Sequence, residues 1–302
     1  MGTPEFAVST LDAILQAGHH VVAVITAADK PAGRGMKLTT SAVKNYAVSH
    51  HLPVLQPEKL KNPEFLEALK QYKADLQVVV AFRMLPELVW SMPPMGTINV
   101  HASLLPQYRG AAPINWAIMN GERISGVTTF KLSQEIDTGN ILLQQQVEIG
   151  EDETAGELYD KLKTTGAQLA VKTIEGLMEG IIKEQPQNSF SNQEKSRAAH
   201  APKIYTETCN INWGNNANDI YNLIRGLCPF PGAFTRLQDK LLKIYKAKKL
   251  ILPHSVLPGS FETDQKTFIR FACSDGYIYP LEVQAEGKKK MAVEEFLKGL
   301  RV

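Results

Sequence analysis

The chain has 302 residues, of which 44% are apolar and 21% charged, and its formal net charge is +2. This composition is typical of a globular protein, and the length favours two domains, because single cores rarely grow beyond about 250 residues. No run of about 20 apolar residues is present, which excludes a transmembrane helix at the sequence level.

The cysteines and the N-terminal residues bear on the cellular compartment and on whether the chain binds a structural metal. Cys209, Cys228 and Cys273 form no C-x-x-C pair, which argues against a zinc site and against a disulfide framework. The N-terminus lacks the basic and then apolar pattern of a secretory signal. We therefore expect a cytoplasmic protein without a structural metal.

Helical and strand patterns alternate along the first 100 residues. The spacing of apolar residues predicts helices over 6–17, 39–50, 63–72 and 84–92, and strands over 20–25, 52–56, 76–82 and from residue 98. Thr3 is the expected N-cap of the first helix, and a strand should precede it in such a fold. The alternation predicts an α/β domain with a doubly wound, mostly parallel sheet.

Later segments predict a change of architecture. Strands are expected at 126–132 and 140–149, followed by a long helix over 154–182. Residues 183–203 are polar, with Pro, Ser and Asn and almost no apolar periodicity, which is typical of a linker. Beyond them, one helix at 216–227 and several short strands indicate a small β-barrel or sandwich. The predicted domains are therefore 1–182 and 204–302.

Charge is unevenly distributed between these parts. Residues 203–302 carry 15 Lys and Arg against 10 Asp and Glu, a net charge of +5, whereas residues 1–202 carry −3. A basic C-terminal part indicates a polyanionic partner. A lysine-rich surface that is merely solvated would have the same composition, so charge by itself leaves both interpretations open.

A chemically distinctive pattern ends the strand at residue 98. Asn99 and His101 are two residues apart, so both side chains lie on one face at the carboxyl end of a strand, where open α/β sheets bind ligands. An Asn amide can stabilise a developing oxyanion, and a His can accept a proton from an attacking amine. Asp137, in a predicted turn, is the best candidate for a carboxylate that orients the imidazole. This combination is typical of acyl transfer.

A plainer interpretation of the same residues stays open at this stage. Asn and His at a strand end often satisfy only loop backbone groups, and Asp-Thr-Gly is an ordinary turn. The sequence has no G-x-S-x-G elbow, no G-x-G-x-x-G after a strand and no Walker lysine, so serine hydrolase, dinucleotide and P-loop chemistry are poorly supported. The loop around "PAGRG" is basic and either contacts phosphates or is solvated.

Several segments together resemble the methionyl-tRNA formyltransferase family, a branch of the folate-dependent formyltransferases. The resemblance runs over nearly the whole chain and rests on "MGTPEFAVSTLDAIL", "DKPAGRGMKL", "INVHASLLPQYRGAAPINWAI", "GVTTFKLSQEIDTGNIL", "CPFPGAFTRL" and "EGKKKMAVEEFLKG". It implies a Rossmann-like formyltransferase domain followed by an OB-like barrel. It also implies formyl transfer from 10-formyltetrahydrofolate, without a metal, to the α-amine of methionyl-initiator tRNA by a monomeric cytoplasmic enzyme that binds no membrane.

The resemblance also assigns roles to individual residues. Asn99, His101 and Asp137 match the family's catalytic residues. The implied folate-binding residues are Phe82, Arg83, Met84, Leu85, Pro86, Ser103, Leu104, Leu105, Pro106 and Asp137. The implied tRNA-binding residues are Lys30, Arg34, Lys37, Lys203, Lys246 and Lys248. Arg83 departs from the family pattern, which has a small residue there, and we expect the pterin pocket to differ in detail.

Two alternative functions remain at the sequence level. One is formyl transfer to another amine, such as an amino sugar nucleotide, and the basic C-terminal part argues against it. The other is a non-catalytic tRNA-binding protein, against which the intact Asn99, His101 and Asp137 argue.

Overall fold

The computed structural model of the chain describes residues 1–32, 37–190 and 199–300. These residues form two compact units that alternate along the chain. The first comprises Met1–Gly110, Ser125–Val147 and Tyr159–His200, and the second comprises Ala111–Ile124, Glu148–Leu158 and Ala201–Val302. Each unit is described by itself.

The predicted α-helices are present in the described residues, and two short helices that were not predicted, Pro113–Met119 and Val293–Leu297, are found in the second unit. They are α1 (Glu5–Gln16), α2 (Ala42–Ser49), α3 (Pro63–Gln71), α4 (Glu87–Trp90), α5 (Pro113–Met119), α6 (Ala155–Met178), α7 (Ala217–Gly226) and α8 (Val293–Leu297). Short 3₁₀ turns occur at Gln187–Phe190 and Glu207–Cys209. None of the helices in the described part of the chain is long and apolar enough to cross a membrane.

The described residues also form sixteen strands. They are β1 (Val24–Ile25), β2 (Lys30–Ala32), β3 (Lys37–Thr39), β4 (Val54–Leu55), β5 (Gln77–Val80), β6 (Thr97–His101), β7 (Arg109–Gly110), β8 (Ile124–Lys131), β9 (Ile141–Glu148), β10 (His200–Ala201), β11 (Ala233–Leu237), β12 (Lys240–Ile251), β13 (Phe261–Thr263), β14 (Ile269–Ala272), β15 (Gly276–Ala285) and β16 (Met291–Ala292).

The first unit is a layered α/β structure, as predicted. Strand β1 pairs in parallel with β4, and β5 pairs in parallel with β6. The second of these sheets has the order β5-β6-β8-β9, and its β6–β8 pair is antiparallel. Helices cover the sheets through apolar clusters, one of which contains Ile25, Phe65 and Val79 and another Ile14, Ile98 and Ile174. The doubly wound, mostly parallel fold is confirmed.

Two local predictions in this unit were wrong. Helix α1 begins at Glu5, and its N-cap is Pro4, whose extended backbone (φ −85°, ψ 176°) provides no capping side chain, so Thr3 is not the cap. The strand predicted over 20–25 comprises only Val24 and Ile25, because β4 pairs only with these two residues.

The second unit is built on an antiparallel sheet with the order β11-β12-β15-β14-β13, to which β16 adds beside β15. Its core joins Ile220 and Ile224 of α7 to sheet residues such as Ile244 and Phe271, all of them almost completely buried. The curled sheet forms a half-barrel, which confirms the OB-like prediction. Helix α5 belongs to this unit and packs on α7, where the Asn115 amide donates to the Gly226 carbonyl (2.7 Å).

Part of the predicted linker is bound to the first unit. Gln185 exchanges both backbone hydrogen bonds with Ile141 (2.8 and 2.9 Å), and Gln187 is buried with 5% of its surface exposed. Residues 191–198 of this segment lie outside the described residues. The domain boundaries at 182 and 204 stay a prediction.

Candidate active site

Strand β6 presents the Asn99 and His101 side chains on one face of its sheet. The side chains of Ile98 and Val100 point to the other face and are 0% and 4% exposed, so alternation places Asn99 and His101 together. Neighbouring strand β8 fixes the register, with Asn99 opposite Phe130 and His101 opposite Thr128. The shared face predicted from the two-residue spacing is present.

The His101 ring is held so that its two nitrogens have different roles. Nε2 lies 2.9 Å from the backbone carbonyl oxygen of Tyr108. Because a carbonyl can only accept a hydrogen bond, Nε2 carries a proton and donates it there. In the neutral ring the lone pair is therefore on Nδ1, which makes Nδ1 the nitrogen that can accept a proton.

Asp137 lies beside that basic nitrogen. Its Oδ2 is 3.8 Å from His101 Nδ1, which is beyond hydrogen-bond distance, and the two side chains are only 12% and 8% exposed. A positive charge on the ring would therefore be attracted by this carboxylate. The same oxygen accepts the Gly110 N–H at 2.9 Å. The sequence led us to expect that Asp137 orients the imidazole, whereas the hydrogen bond of the ring runs from Nε2 to the Tyr108 carbonyl, which accepts it.

Backbone conformations at this point are unusual. Asp137 (φ 54°) and Tyr108 (φ 60°) both adopt the left-handed region, which is uncommon for residues with a side chain. Tyr108 is fixed there by its N–H, which donates to the Ala199 carbonyl at 2.6 Å. Such strained residues persist only when their surroundings hold them, and they concentrate at functional sites.

Gln187 is a site residue that the sequence did not reveal. Its amide nitrogen donates to the carbonyls of Asp137 (2.7 Å) and Gly139 (2.9 Å), and its oxygen accepts from the Arg109 guanidinium at 2.6 and 3.1 Å. One buried side chain thus joins the Asp137 turn to the loop after β6. It lies in the polar segment that was predicted to be a linker, where neither periodicity nor a motif distinguishes it.

Asn99 carries a buried polar atom that has no hydrogen-bond partner among the described residues. Its Oδ1 is buried and, in the described part of the chain, accepts no hydrogen bond. Leaving a buried acceptor unsatisfied costs about 1–3 kcal/mol, so a hydrogen-bond donor from a bound molecule would be favoured at this position. An N–H group of a bound substrate is chemically suited to it.

The predicted folate-binding segment Phe82–Pro86 follows β5, whose carboxyl end is next to that of β6 in the parallel pair. The chain turns at Ala81 (φ 46°), after which Leu85 enters an apolar cluster while Met84 is 68% exposed. The Arg83 guanidinium donates to the backbone carbonyls of Pro57 and Glu58. Arg83 thus joins the loop after β5 to the loop that contains Pro57 and Glu58.

The second predicted folate-binding segment, Ser103–Pro106, leaves β6 at the same edge. Ser103, Leu105 and Pro106 are buried, and only Leu104 is half-buried. The Leu105 N–H donates to Thr128 Oγ1 (3.1 Å), and its carbonyl accepts from the Gln144 amide (2.8 Å). These hydrogen bonds fix the backbone of the loop at Leu105.

The predicted tRNA-binding residues that the structure describes lie on the strands β2, β3 and β12 and in the loop after β10. Lys30 is exposed on β2, which pairs with β3 carrying Lys37, and the hairpin starts next to Asp29. Hydrogen bonds from Lys44 and Gln56 to the Asp29 carboxylate hold its pKa below the usual value. Arg34 lies outside the described residues.

In the second unit, Lys246 and Lys248 are exposed on one side of β12. Lys203 is exposed beside the ring of Tyr205, 5.6 Å from its centroid. By contrast, Lys249 donates to Asn218 (2.8 Å) and Lys243 to the Pro231 carbonyl (2.7 Å). These contacts distinguish exposed lysines from lysines that stabilise the unit.

This fold and this arrangement of Asn, His and Asp define the class of the protein. A sequence profile described as formyl transferase matches residues 1–174, and one described as formyl transferase, C-terminal domain, matches residues 203–301. The chain belongs to the formyl transferase family, whose members are transferases that use formyl-tetrahydrofolate.

The more particular relatives are methionyl-tRNA formyltransferases. The enzyme of Bacteroides fragilis is 48% identical over 307 residues, covering 100% of this chain and 94% of that protein. The enzyme of Parabacteroides distasonis is 49% identical with the same coverage, and that of Flavobacterium psychrophilum is 48% identical over 99% of this chain and 95% of its own. The resemblance stated from the motifs is confirmed.

Solved structures share the fold at lower identity. The N-formyltransferase of Helicobacter canadensis, solved with folinic acid and dTDP-3-aminofucose, has a TM-score of 0.65 and 22% identity over 94% of this chain and 97% of that one. HypX of Aquifex aeolicus, solved with tetrahydrofolic acid, has a TM-score of 0.59 and 21% identity over 84% of this chain and 44% of that chain. At these identities the likeness concerns the fold alone.

Proposed function

We propose that the protein transfers the formyl group of 10-formyltetrahydrofolate to the α-amine of methionyl-initiator tRNA. The acceptor is supported by relatives of this activity that are 46–49% identical over nearly the whole chain. The observation that carries the chemistry is the contact of His101 Nδ1 with Asp137 at 3.8 Å, on the same strand face as Asn99.

His101 acts as the general base in this proposal. Attack on a formyl carbon requires the acceptor amine to lose a proton, and Nδ1 is the ring nitrogen with the available lone pair. The positive charge that then forms on the ring faces the Asp137 carboxylate in a largely buried setting, where the attraction between opposite charges is strong. The Tyr108 carbonyl keeps the ring in this orientation throughout.

Asn99 contributes from the same face of β6. Its amide N–H₂ can donate to the formyl oxygen as negative charge develops there. Its buried Oδ1, which accepts no hydrogen bond within the described residues, can accept an N–H of the acceptor amine. One side chain would therefore position both reacting groups. Formyltetrahydrofolate supplies an already activated formyl group.

We assign the two substrates to different segments of the chain. We assign folate to Phe82–Pro86 and Ser103–Pro106, which leave adjacent parallel strands at the same edge. We assign tRNA to Lys30, Arg34 and Lys37 and, in the C-terminal part, to Lys203, Lys246 and Lys248, with residues 1–182 as the catalytic domain and 204–302 as the tRNA-binding domain. A monomer in the cytoplasm is the form we expect.

A single set of incubations tests the function. The purified protein is mixed with 10-formyltetrahydrofolate and one of three acceptors: methionyl-initiator tRNA, the same tRNA uncharged, or an amino sugar nucleotide. Formylation of the charged tRNA alone is expected. Preferential formylation of the amino sugar would support the other enzyme activity, and no formylation of any acceptor would support a non-catalytic tRNA-binding protein.

A further inference from the structure

The basic hairpin, which we define as strands β2 and β3, has too little structure of its own to fix its position. Its described part consists of three residue pairs: Lys30 with Thr39, Pro31 with Leu38, and Ala32 with Lys37. No other strand of the described residues pairs with it, and its Leu38 side chain is 69% exposed. A two-stranded hairpin by itself is marginally stable at best in water. The direction of the hairpin therefore depends on the contacts at its base.

Asp29 directly precedes β2 and joins the hairpin to two other segments of the first unit. Its carboxylate accepts hydrogen bonds from the Lys44 ammonium group, near the start of α2, and from the Gln56 amide (2.7 Å), just after β4. The Gln56 amide also donates to the Ala27 carbonyl at 2.7 Å. The Lys44 and Asp29 side chains are only 24% and 17% exposed, so this ion pair is screened less than one on the open surface.

Ser41 fixes the other strand of the hairpin to the same helix. It lies two residues after β3 and is the N-cap of α2, where its Oγ accepts the Lys44 N–H at 3.0 Å. The same Oγ is 2.7 Å from the Oγ1 of Thr26, a completely buried residue that directly follows β1. Both strands of the hairpin thus leave the first unit from points that are held around the start of α2.

Charge distinguishes the role of Asp29 from that of the lysines. The Lys44 ammonium group is bound to Asp29, whereas Lys30 is exposed at the start of β2. A carboxylate beside a basic hairpin repels a polyanion, so by charge alone the loss of Asp29 would strengthen tRNA binding. If the carboxylate holds the hairpin in place, its loss weakens tRNA binding instead. The two roles therefore predict changes of opposite sign.

We propose that Asp29 is a positioning residue for tRNA. Its hydrogen bonds with Lys44 and Gln56 fix the direction of the basic hairpin, which then presents Lys30 and Lys37 to the phosphates of the tRNA. Holding the hairpin in place before binding lowers the entropy cost of ordering it on the tRNA. The inference rests on the proposed function, because it takes methionyl-initiator tRNA as the acceptor.

Steady-state formylation of methionyl-initiator tRNA is measured for the wild type and for the variants Asp29→Ala, Lys44→Met and the double variant. Glu67→Gln is the matched control, because Glu67 is exposed on α3 and its replacement removes one negative charge away from the hairpin base. Tm is measured for every variant, and the affinity for tRNA is measured at several salt concentrations.

Asp29→Ala should raise the KM for tRNA about fivefold, an effect of the size of one lost hydrogen bond, and leave kcat and the KM for 10-formyltetrahydrofolate nearly unchanged. Lys44→Met should have the same effect, with the salt dependence of the wild type. The double variant should be no weaker than either single variant, because both substitutions remove one shared contact. Glu67→Gln should leave the KM for tRNA unchanged or slightly lower it.

Binding of tRNA by Asp29→Ala that is as tight as that of the wild type, or tighter, would overturn the proposal. Multiplied effects in the double variant, with a less steep salt dependence for Lys44→Met, would also overturn it, because Lys44 would then contact a phosphate itself. If Asp29→Ala does not fold, Asp29→Asn replaces it and should raise the KM for tRNA in the same direction. A wild type that formylates no tRNA would contradict the proposed function instead.

Discussion

At the residue scale, the two contacts of the His101 ring decide which atom can act as the base. His101 Nε2 donates its proton to the Tyr108 carbonyl, so Nδ1, which lies beside Asp137, is the nitrogen that can take a proton. Asn99 adds a buried oxygen that can accept a hydrogen bond from a ligand. In the proposed mechanism the three side chains have separate tasks, so substitutions should affect different measurable quantities.

Replacing His101 or Asn99 by Ala should lower turnover about 10²–10³-fold, the usual effect of losing a general base or an oxyanion donor. Tetrahydrofolate binding, measured by equilibrium dialysis, should change little. His51→Asn is the matched control, because His51 is exposed and its left-handed backbone (φ 55°) tolerates Asn. Turnover within a few-fold of wild type in both alanine variants would remove these residues from the mechanism.

Replacing Asp137 by Asn tests charge with little change in shape. Asn accepts the left-handed backbone at this position and can still accept the Gly110 N–H. The protonated His101 ring loses its negatively charged neighbour, so turnover should fall and the pH–rate profile should shift while Tm stays nearly constant. An unchanged profile and rate would mean that Asp137 acts only as a turn residue.

Gln187 should behave as a positioning residue. Gln187→Met keeps the side-chain volume but removes the hydrogen bonds to the Asp137 and Gly139 carbonyls and to Arg109. We expect a loss of stability of about 1–3 kcal/mol from the buried groups left unpaired, and about a tenfold lower kcat with an altered pH–rate profile. Gln185→Ala is the control, since Gln185 makes its bonds through the backbone. A purely structural role would lower Tm without moving the pH–rate profile.

At the element scale, β12 separates two kinds of lysine. Lys246 and Lys248 are exposed, whereas Lys243 and Lys249 are bound to neighbouring groups, and Lys249 also lies 4.9 Å from the centroid of the Tyr221 ring. If the exposed pair meets phosphates, counterion release on binding makes the affinity depend on salt.

Replacing both Lys246 and Lys248 by Gln should weaken tRNA binding and make its salt dependence less steep. The slope of log affinity against log salt concentration should fall by about one for each phosphate that is no longer bound. The matched control replaces Lys243 and Lys249 with Gln, which should lower Tm and leave the salt slope almost unaltered. Affinities are measured for both double variants at several salt concentrations. Equal slopes for the wild type and the Lys246 and Lys248 variant would place the tRNA elsewhere.

At the scale of the whole molecule, the chain does not divide cleanly at one point. Helix α5, from the first 182 residues, packs on α7 of the C-terminal part, where Gly226 lets the two approach closely: a Cβ there would lie 2.5 Å from Met119 Cγ. The Gln187 bonds to the Asp137 turn also come from beyond residue 182.

Truncation after residue 182 should therefore destabilise what remains rather than release an intact catalytic domain. The fragment loses the α7 surface that packs on α5 and the hydrogen bonds of Gln187. We therefore expect a lower Tm than that of the full chain, and we expect the fragment to bind a dye whose fluorescence reports exposed apolar surface. A fragment ending at 190 is the comparison, because it regains Gln187. A fragment 1–182 that unfolds at the temperature of the full chain would contradict this expectation.

The sequence by itself determined the alternation of strands and helices, the change to short strands in the C-terminal part, and the shared face of Asn99 and His101. These follow from local periodicities of 2 and 3.6 residues and from turn chemistry, which depend on neighbours in the chain. The family was also readable from contiguous motifs that extend over nearly the whole length.

Only the tertiary structure decided which nitrogen of His101 has the available lone pair and that Gln187 supports the Asp137 turn. The second of these depends on groups brought together from distant parts of the chain, because Gln187 is 50 residues from Asp137 and 78 residues from Arg109. Local patterns carry no information about such pairs. The same polar residue hydrogen-bonds to water when it lies in an exposed linker and to a backbone carbonyl when it is buried.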